Sequence, residues 1–315
     1  MTDDERQQGD KETRRQGDDE IHTHLLTCSP AHTIVHRPSS LSVSIIARDE
    51  ARHIGNAIRS VAELADETLV LLDERTRDRT AAISRELGAR VVVESWRGFG
   101  AQRNRALDLC HGEWVLFLDA DERVTPELQE EIRAIVSNPV EMTKWQDDKM
   151  ADASVTLSPC HLVTLSPVGY WIPRYNQFFG KTLHGGGWYP DHQLRLLRRG
   201  HTRYDEARQV HEYAELDGQA GYLHEHLLHL NIERLDELWR KQTNYAIHEA
   251  QTLWREGRRA RWRNFVGAPL REFVRRFIRL GGWRDGMLGL FLCATLAYFE
   301  LVKFVHLKGL ENLTR

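Results

Sequence analysis

Two carboxylates one residue apart, Asp119 and Asp121, end the apolar run Trp114-Val115-Leu116-Phe117-Leu118. A short unbroken apolar stretch of this kind suits a strand buried on both faces of a parallel sheet. Side chains alternate along a strand, so the two acids should share one side, with the small Ala120 between them. Crowded carboxylates repel, and a hard divalent cation that also holds phosphate oxygens relieves the repulsion. A strand end with solvated acids is the plain alternative, and the surrounding pattern must decide.

The elements that would position this pair alternate between strand and helix signals from Leu41 onward. Val43 to Ala47 reads as a strand, and Ile54, Ile58 and Val61 mark one face of the helix after it. Thr68 to Leu72 is a second strand, ending at Asp73. Asp78 sits as N-cap of a helix through Leu87, with Gly88 as its C′ residue, and Arg90 to Glu94 is a third strand. Gly98 and Gly100 introduce a helix from Ala101 to Leu109. Strands separated by helices predict a parallel sheet with right-handed crossovers, whose ligands bind beyond the carboxyl ends of the strands. Asp49, Asp73 and the Asp119/Asp121 pair all fall at such ends, although Asp49 and Asp73 could equally cap the next helix. Carboxylates cannot grip phosphate directly. Their roles would be to accept hydrogen bonds from a base or ribose, or to hold a metal that carries a diphosphate. Neither G-x-x-x-x-G-K-[ST] nor G-x-G-x-x-G occurs after a strand, which weakens ATPase and NAD readings.

With 315 residues, 41% hydrophobic and 28% charged, the chain can bury a full α/β core and a smaller appendage. A net charge of -3 argues against nucleic-acid binding by bulk charge. Cys28, Cys110, Cys160 and Cys293 form no C-x-x-C pair, so neither a disulfide framework nor a thiolate zinc site is expected, and the compartment is read as reducing. Residues 1 to 40 read as a disordered tail, rich in charge and poor in apolar residues. No signal-peptide core is present and no apolar run reaches the ~20 residues needed to span a bilayer.

Ser44-Ile45-Ile46-Ala47-Arg48-Asp49-Glu50, the Asp73 to Thr80 segment, Gly98-Phe99-Gly100-Ala101-Gln102-Arg103-Asn104 and Leu118-Asp119-Ala120-Asp121-Glu122 resemble the successive motifs of family 2 glycosyltransferases. The likeness is greatest to the lipopolysaccharide-core glucosyltransferase subgroup. It extends through Gly185-Gly186-Gly187-Trp188-Tyr189-Pro190-Asp191, Arg195 to Gly200 and Val210-His211-Glu212. The resemblance implies a GT-A fold, α/β with a mainly parallel sheet flanked by helices. It also implies a nucleotide-diphosphate sugar donor, a divalent metal (Mn or Mg) and inversion at the anomeric carbon. Carried over, Ala47, Asp49, Glu50, Asp73, Gly98, Gly100, Asn104, Asp119 and Ala120 would line the donor site, with Asp73 on the base. Asp119, Asp121 and His211 would hold the metal. Asp191 would be the general base, with Glu212 as the alternative. A buried structural role for His211 and a turn at Pro190-Asp191 are the plain readings beside these.

The family's D-S-G-S-x-D is replaced here by Asp73-Glu74-Arg75-Thr76-Arg77-Asp78, and Asp49 stands where Asn is common, so donor choice and activity are open. Residues 41–140 would form the nucleotide-sugar half, 141–168 an insertion loop, and 169–232 the acceptor half, whose aromatics suit stacking on sugars. His224, His226 and His229 invite a zinc reading, but no acid or thiol completes the site and they read as structural. Residues 233–315 read as a helical extension. Between Arg255 and Arg284 it carries ten arginines against two glutamates, interleaved with aromatics, which suits an anionic membrane surface. Met287 to Phe299 reads as too short to span. The expected activity is transfer to a lipopolysaccharide-core or other lipid-linked glycan at the inner face of the cytoplasmic membrane. A polyprenyl-phosphate transferase and an inactive nucleotide-sugar-binding protein are the alternatives.

Overall fold

The protein is described by a computed structural model over residues 40–137, 166–206 and 214–313. The expectations for the 1–40 tail and the 141–168 insertion therefore lie almost wholly outside the described residues. Four strands open the chain: β1 (Leu41–Ala47), β2 (Glu67–Asp73), β3 (Arg90–Glu94) and β4 (Trp114–Phe117). They are joined by α1 (Ile54–Arg59), α2 (Thr80–Glu86) and α3 (Phe99–Leu109). They pair in parallel in the order β3-β2-β1-β4, with Val43 level with both Thr68 and Leu116. The order places β1 centrally, and its side chains alternate between two cores. Val43 and Ile45 pack with Ile54, Ile58 and, from α4 (Pro126–Ser137), Leu128 and Ile132. On the other face Leu69, Leu71, Val115 and Phe117 pack under Ala106 and Leu107 of α3. Each fully buried Leu, Ile or Phe contributes roughly 1.5–3 kcal/mol of transfer free energy, which fixes the register of the strands.

Beyond β4 the sheet turns antiparallel. The short β5 (Glu122–Val124) follows the acidic turn, then come β6 (Gly169–Phe178), β7 (Lys181–Thr182) and β8 (His192–Arg198). A two-stranded ribbon joins β9 (Thr202–Tyr204) to β10 (Ala214–Leu216), followed by β11 (Ala220–Tyr222) and β12 (Leu227–Ile232). β8 inserts antiparallel between β4 and β6, and β12 runs parallel to β6 and antiparallel to β5. The result is a curled, mixed but mainly parallel ten-stranded sheet with helices on its faces, as the α/β expectation had it.

Three helices close the chain: α5 (Leu235–Arg255), α6 (Trp262–Phe273) and α7 (Gly286–Leu313), with a wide helical turn at Val274–Arg279 and a tight one at Gly282–Asp285. Here the sequence reading needs correction. The apolar run does not stop at Glu300, because Lys303 bonds both Glu300 (2.5 Å) and Glu249 of α5 (2.9 Å), so one helix of 28 residues continues through the charge. By length and composition the stretch Gly282–Leu313 is apolar enough to cross a membrane. It is also packed against protein, with α5 and α6 along its sides.

The helices grip the glycine-rich loop between β7 and β8. Asp285 accepts hydrogen bonds from the backbone N–H groups of His184 (2.8 Å) and Gly185 (2.9 Å), Gly186 N–H donates to Leu280 O (2.8 Å), and Arg276 reaches Gly186 O (2.8 Å). A Cβ on Gly185 would meet Gly281 O at 2.1 Å, so only glycine permits this approach.

Candidate active site

The carboxyl ends of β1, β2 and β4 bring together most of the strand-end acids. Ala47 is buried at the end of β1. Asp49 follows with φ 55°, the left-handed region that non-glycine residues seldom adopt, and its Oδ1 accepts from Arg77 N (2.7 Å). Glu50 is lodged among like charges. Its carboxyl is pushed up to about 7, first by burial and then by Asp121, Asp78 and Asp119. Asp78 is not the N-cap of α2 as expected, since that position falls on Arg79; one residue earlier, it accepts from Thr80 N (2.9 Å) and from Ala51 N (2.9 Å).

Asp119, Ala120 and Asp121 lie in a turn, not in the strand, since β4 ends at Phe117 and Glu122 N–H donates back to Asp119 O (2.9 Å). Strand alternation therefore does not orient them. Asp119 turns toward Arg195, which also bonds Glu122 Oε1 (2.9 Å), and Arg103 approaches at 3.9 Å. Burial works against the charge on Asp119, but Arg195 and Arg103 hold it far below the usual carboxylate range. Asp121 points elsewhere, to His229 Nε2 at 3.3 Å. Burial opposes its charge too, and His229 and Lys241 keep the carboxylate below its ordinary value.

Asp73 is buried, and Arg75 closes on both of its oxygens (2.9 Å to Oδ1, 2.6 Å to Oδ2). That contact, against the cost of burial, lowers the carboxyl to about 2. Gly98 has φ 102° with open space where a side chain would project, and Gly100 backs onto Asp205 O, 2.9 Å from where its Cβ would lie. Asn104 is buried against the β9 strand. Its amide donates to Tyr204 O (2.9 Å) and Glu206 Oε1 (2.8 Å) and accepts from Tyr204 N (2.8 Å). His211 and Glu212 lie outside the described residues.

Asp191 stands at the entrance to β8. Its Oδ2 accepts from Arg174 Nε (3.0 Å) and Nη2 (2.6 Å) and from Asn176 Nδ2 (3.0 Å), and its Oδ1 accepts from Gln193 (2.8 Å). Burial raises its proton affinity, but these donors overcome that and hold the carboxyl low. Arg174 also bonds Glu122 Oε1 (2.8 Å). A continuous chain of charges, Asp119–Arg195–Glu122–Arg174–Asp191, thus joins the acidic turn to Asp191. Glu122 at its middle is completely buried, and its second oxygen accepts Asp119 N (2.9 Å).

Four of these residues, Arg174, Asn176, Arg195 and His229, were not singled out from the sequence as site residues. A signal existed for Arg195 and His229. Each interrupts an apolar strand, between Leu194 and Leu196 and between Leu228 and Leu230, and a charged or ionisable side chain inside a buried strand requires a partner. For His229 the partner is Asp121, distant in sequence and brought alongside by the β5–β12 pairing.

Comparison with known proteins places the chain in a family. The chain is 28% identical over 273 residues to the lipopolysaccharide core biosynthesis glycosyltransferase LpsC of Rhizobium meliloti, covering 83% of this chain and 89% of that one. An uncharacterized glycosyltransferase of Rickettsia felis is 42% identical over 98 residues, 31% of this chain and 34% of the relative. Among solved structures, glucosyl-3-phosphoglycerate synthase of Mycobacterium tuberculosis, crystallised with Mn2+, UDP and glucosyl-3-phosphoglycerate, is 29% identical. That match covers 27% of this chain and 34% of the other, with a TM-score of 0.25. The TarS protein of S. aureus is 15% identical, covering 66% and 39%, with a TM-score of 0.39. The family model described as glycosyl transferase family 2 matches residues 42–203, just over half of the 315, and spans β1 through β9 with the acidic turn and Asp191 inside it. The chain belongs to glycosyl transferase family 2 and is a glycosyltransferase.

Proposed function

We propose that this glycosyltransferase is metal-dependent and inverting, and that it moves a sugar from a nucleotide-diphosphate sugar to a hydroxyl of a lipid-linked glycan, the lipopolysaccharide core being the class its relative points to. The observation that carries the reading is the convergence of Glu50, Asp119 and Asp121 at the ends of neighbouring strands, where burial first, and then the charges of Asp121, Asp78 and Asp119, push the Glu50 carboxyl up to about 7. Such a concentration of carboxylate oxygen is the donor set a hard divalent cation prefers. Among the described residues no three His, Cys, Asp or Glu side chains enclose a cation by themselves, so diphosphate oxygens and water would supply the remaining ligands. A bound cation would neutralise charge on the departing diphosphate.

The chain's own residues divide the remaining work. Asp191 fits the general base: its Oδ2 is saturated by Arg174 and Asn176, while Oδ1 has a single donor, Gln193, and keeps a lone pair for an acceptor hydroxyl. Its low proton affinity keeps it ionised at neutral pH, so proton uptake would follow, not precede, departure of the leaving group. Tyr175, Tyr189 and His226 stack beside it, Tyr175 and His226 with ring centroids 3.9 Å apart, which supports a sugar-stacking wall. On α6, Trp262, Val266 and Leu270 form one stripe, 85%, 68% and 60% exposed, among arginines. That supports peripheral attachment of residues 233–315 to an anionic membrane.

One observation favours a second reading, a nucleotide-sugar-binding protein without turnover. Arg75 occupies both oxygens of Asp73, the carboxylate expected to meet the base. Nucleotide release from a panel of donors with Mn2+ or Mg2+, compared with Asp121→Ala, separates the two. Metal-dependent release by the natural protein, lost in the variant, is expected. No release from any donor, with binding retained, leaves the second reading.

A further inference from the structure

We propose that a cavity between the sheet and the helical extension binds an anionic group of the acceptor, one set beside apolar carbon as in a phosphorylated lipid, with Lys241 as the residue that recognises the charge. The proposal deepens, and rests on, the reading of a lipid-linked acceptor.

The cavity follows from two helix spacings. On α5, Leu238, Lys241 and Tyr245 recur at intervals of three and four, so one face of the helix carries all three. On α7, Leu292 and Leu296 lie one turn apart and line the same space. The sheet closes it with Phe178 of β6 and Asn231 of β12, and Trp188 closes it from the glycine-rich loop. The volume is about 240 Å3, just under the roughly 300–1,000 Å3 of sites that enclose a whole drug-sized molecule. It therefore suits one group of a larger ligand. Its floor is apolar: Phe178, Leu238 and Leu292 pack in one cluster, none more than 4% exposed.

One cation enters these surroundings without a carboxylate. Lys303 and Lys308 on α7 are each paired with glutamate. Lys241, among the described residues, has only the neutral Oδ1 of Asn231, at 3.0 Å. An ammonium carries three N–H donors, so two are left for a ligand. A partly buried charge without a counter-ion is costly, and an anionic oxygen of a phosphoryl group would relieve that cost. Apolar floor and lone cation together select a ligand with carbon on one side and negative charge on the other.

Position assigns that ligand to the acceptor. Among the described residues, none from β1, β2 or α3, which form the donor side, lines the cavity. Trp188 does, and the amide of Asn176 donates to both Trp188 O (2.8 Å) and Asp191 Oδ2 (3.0 Å), so one side chain holds the cavity wall and the base candidate. The helices α5 and α7, which complete the cavity, belong to the extension that the membrane reading sets against lipid. His229 also lines the cavity while facing Asp121, which makes a donor diphosphate the rival occupant. A diphosphate would leave the apolar floor uncovered.

The test is a ligand-observed NMR titration of the full chain, with circular dichroism to confirm the fold of each variant. Hexyl phosphate should bind at least tenfold more tightly than inorganic phosphate or hexyl glucoside, and UDP with Mn2+ should not displace it. Lys241→Met should weaken its binding tenfold or more. Leu296→Trp, which fills the cavity from α7 and leaves the charge in place, should do the same, while Trp262→Ser on the exposed stripe of α6 should not. Inorganic phosphate bound as tightly would mark a free-anion site, and hexyl glucoside bound as tightly would show that charge is not recognised. Displacement by UDP with Mn2+ would give the site to the donor, and full affinity in folded Lys241→Met would remove the lysine from it. Any of these four overturns the assignment. Hexyl phosphate bound as expected by a protein that releases no nucleotide from any donor would uphold the cavity and refute turnover instead.

Discussion

The buried chain of charges makes a quantitative demand on Glu122. In Glu122→Gln the side chain keeps its shape, and the amide oxygen can still accept from Arg174 and Arg195, 2.8 and 2.9 Å away in the native protein. Both hydrogen bonds lose their ionic character, which costs about 1 kcal/mol each. The new NH2 group then faces Asp119 N–H, which donates to Glu122 Oε2 at 2.9 Å in the native protein. Opposing a buried donor in this way costs a further ~1–3 kcal/mol. The sum, about 3–5 kcal/mol, matches the loss seen when one member of a buried ion pair is removed. At roughly 2–4 °C per kcal/mol for a chain of this size, the melting temperature should fall by about 6–20 °C. Urea unfolding followed by tryptophan fluorescence measures the free energy directly. Asp108→Asn, which breaks the exposed pair with Arg203 (2.7 Å), is the control and should change stability by no more than ~1 kcal/mol. If Glu122→Gln were as mild as that control, the network would be an array of independent surface-like pairs, and the coupling described here would be wrong.

Two further outcomes follow from local geometry. Gly185→Ala places a methyl group against Gly281 O, so the loop leading to Asp191 must shift; acceptor kcat/KM should drop tenfold or more with donor affinity unchanged, and equal loss of donor binding would place the damage elsewhere. The Asp73 carboxyl, lowered to about 2 by Arg75, contributes stability that is fully present above its unfolded pKa and is lost as pH falls through about 2. The urea-midpoint gap between wild type and Arg75→Ala should thus be full at about pH 5 and smaller at about pH 3, and a gap that widens on acidification would refute the pairing.

The first half of the fold was legible because two local patterns speak clearly there. Short, nearly continuous apolar runs in β1 and β2, buried on both faces, and apolar residues at helical spacing in α1, specify elements locally, and strands separated by helices leave little choice but parallel order. What escaped notice depends on contacts between distant segments. His229 and Asp121 meet only because β12 pairs with β5, and Arg195 meets Asp119 only because β8 inserts beside β4. Glu300 misled for a related reason. Judged alone it ends an apolar run, but its partner Lys303 lies one turn on and is itself secured by Glu249 from another helix. The acidic turn was placed correctly at the end of β4, whereas the orientation of its two carboxylates was set by Arg195 and His229 and not by strand geometry.

The contact between the glycine loop and the helical extension bears on how such enzymes can diversify. Asp285, Leu280 and Arg276 hold the Gly185–Gly187 backbone from one side, and Trp188 and Asp191 follow directly in sequence. Grafting the C-terminal helices of one relative onto the sheet of another would mate foreign surfaces at this joint and misplace Asp191, even with every residue of the candidate site retained. The loop and the helices should therefore be inherited together, as one module that recombination cannot split without disabling the enzyme.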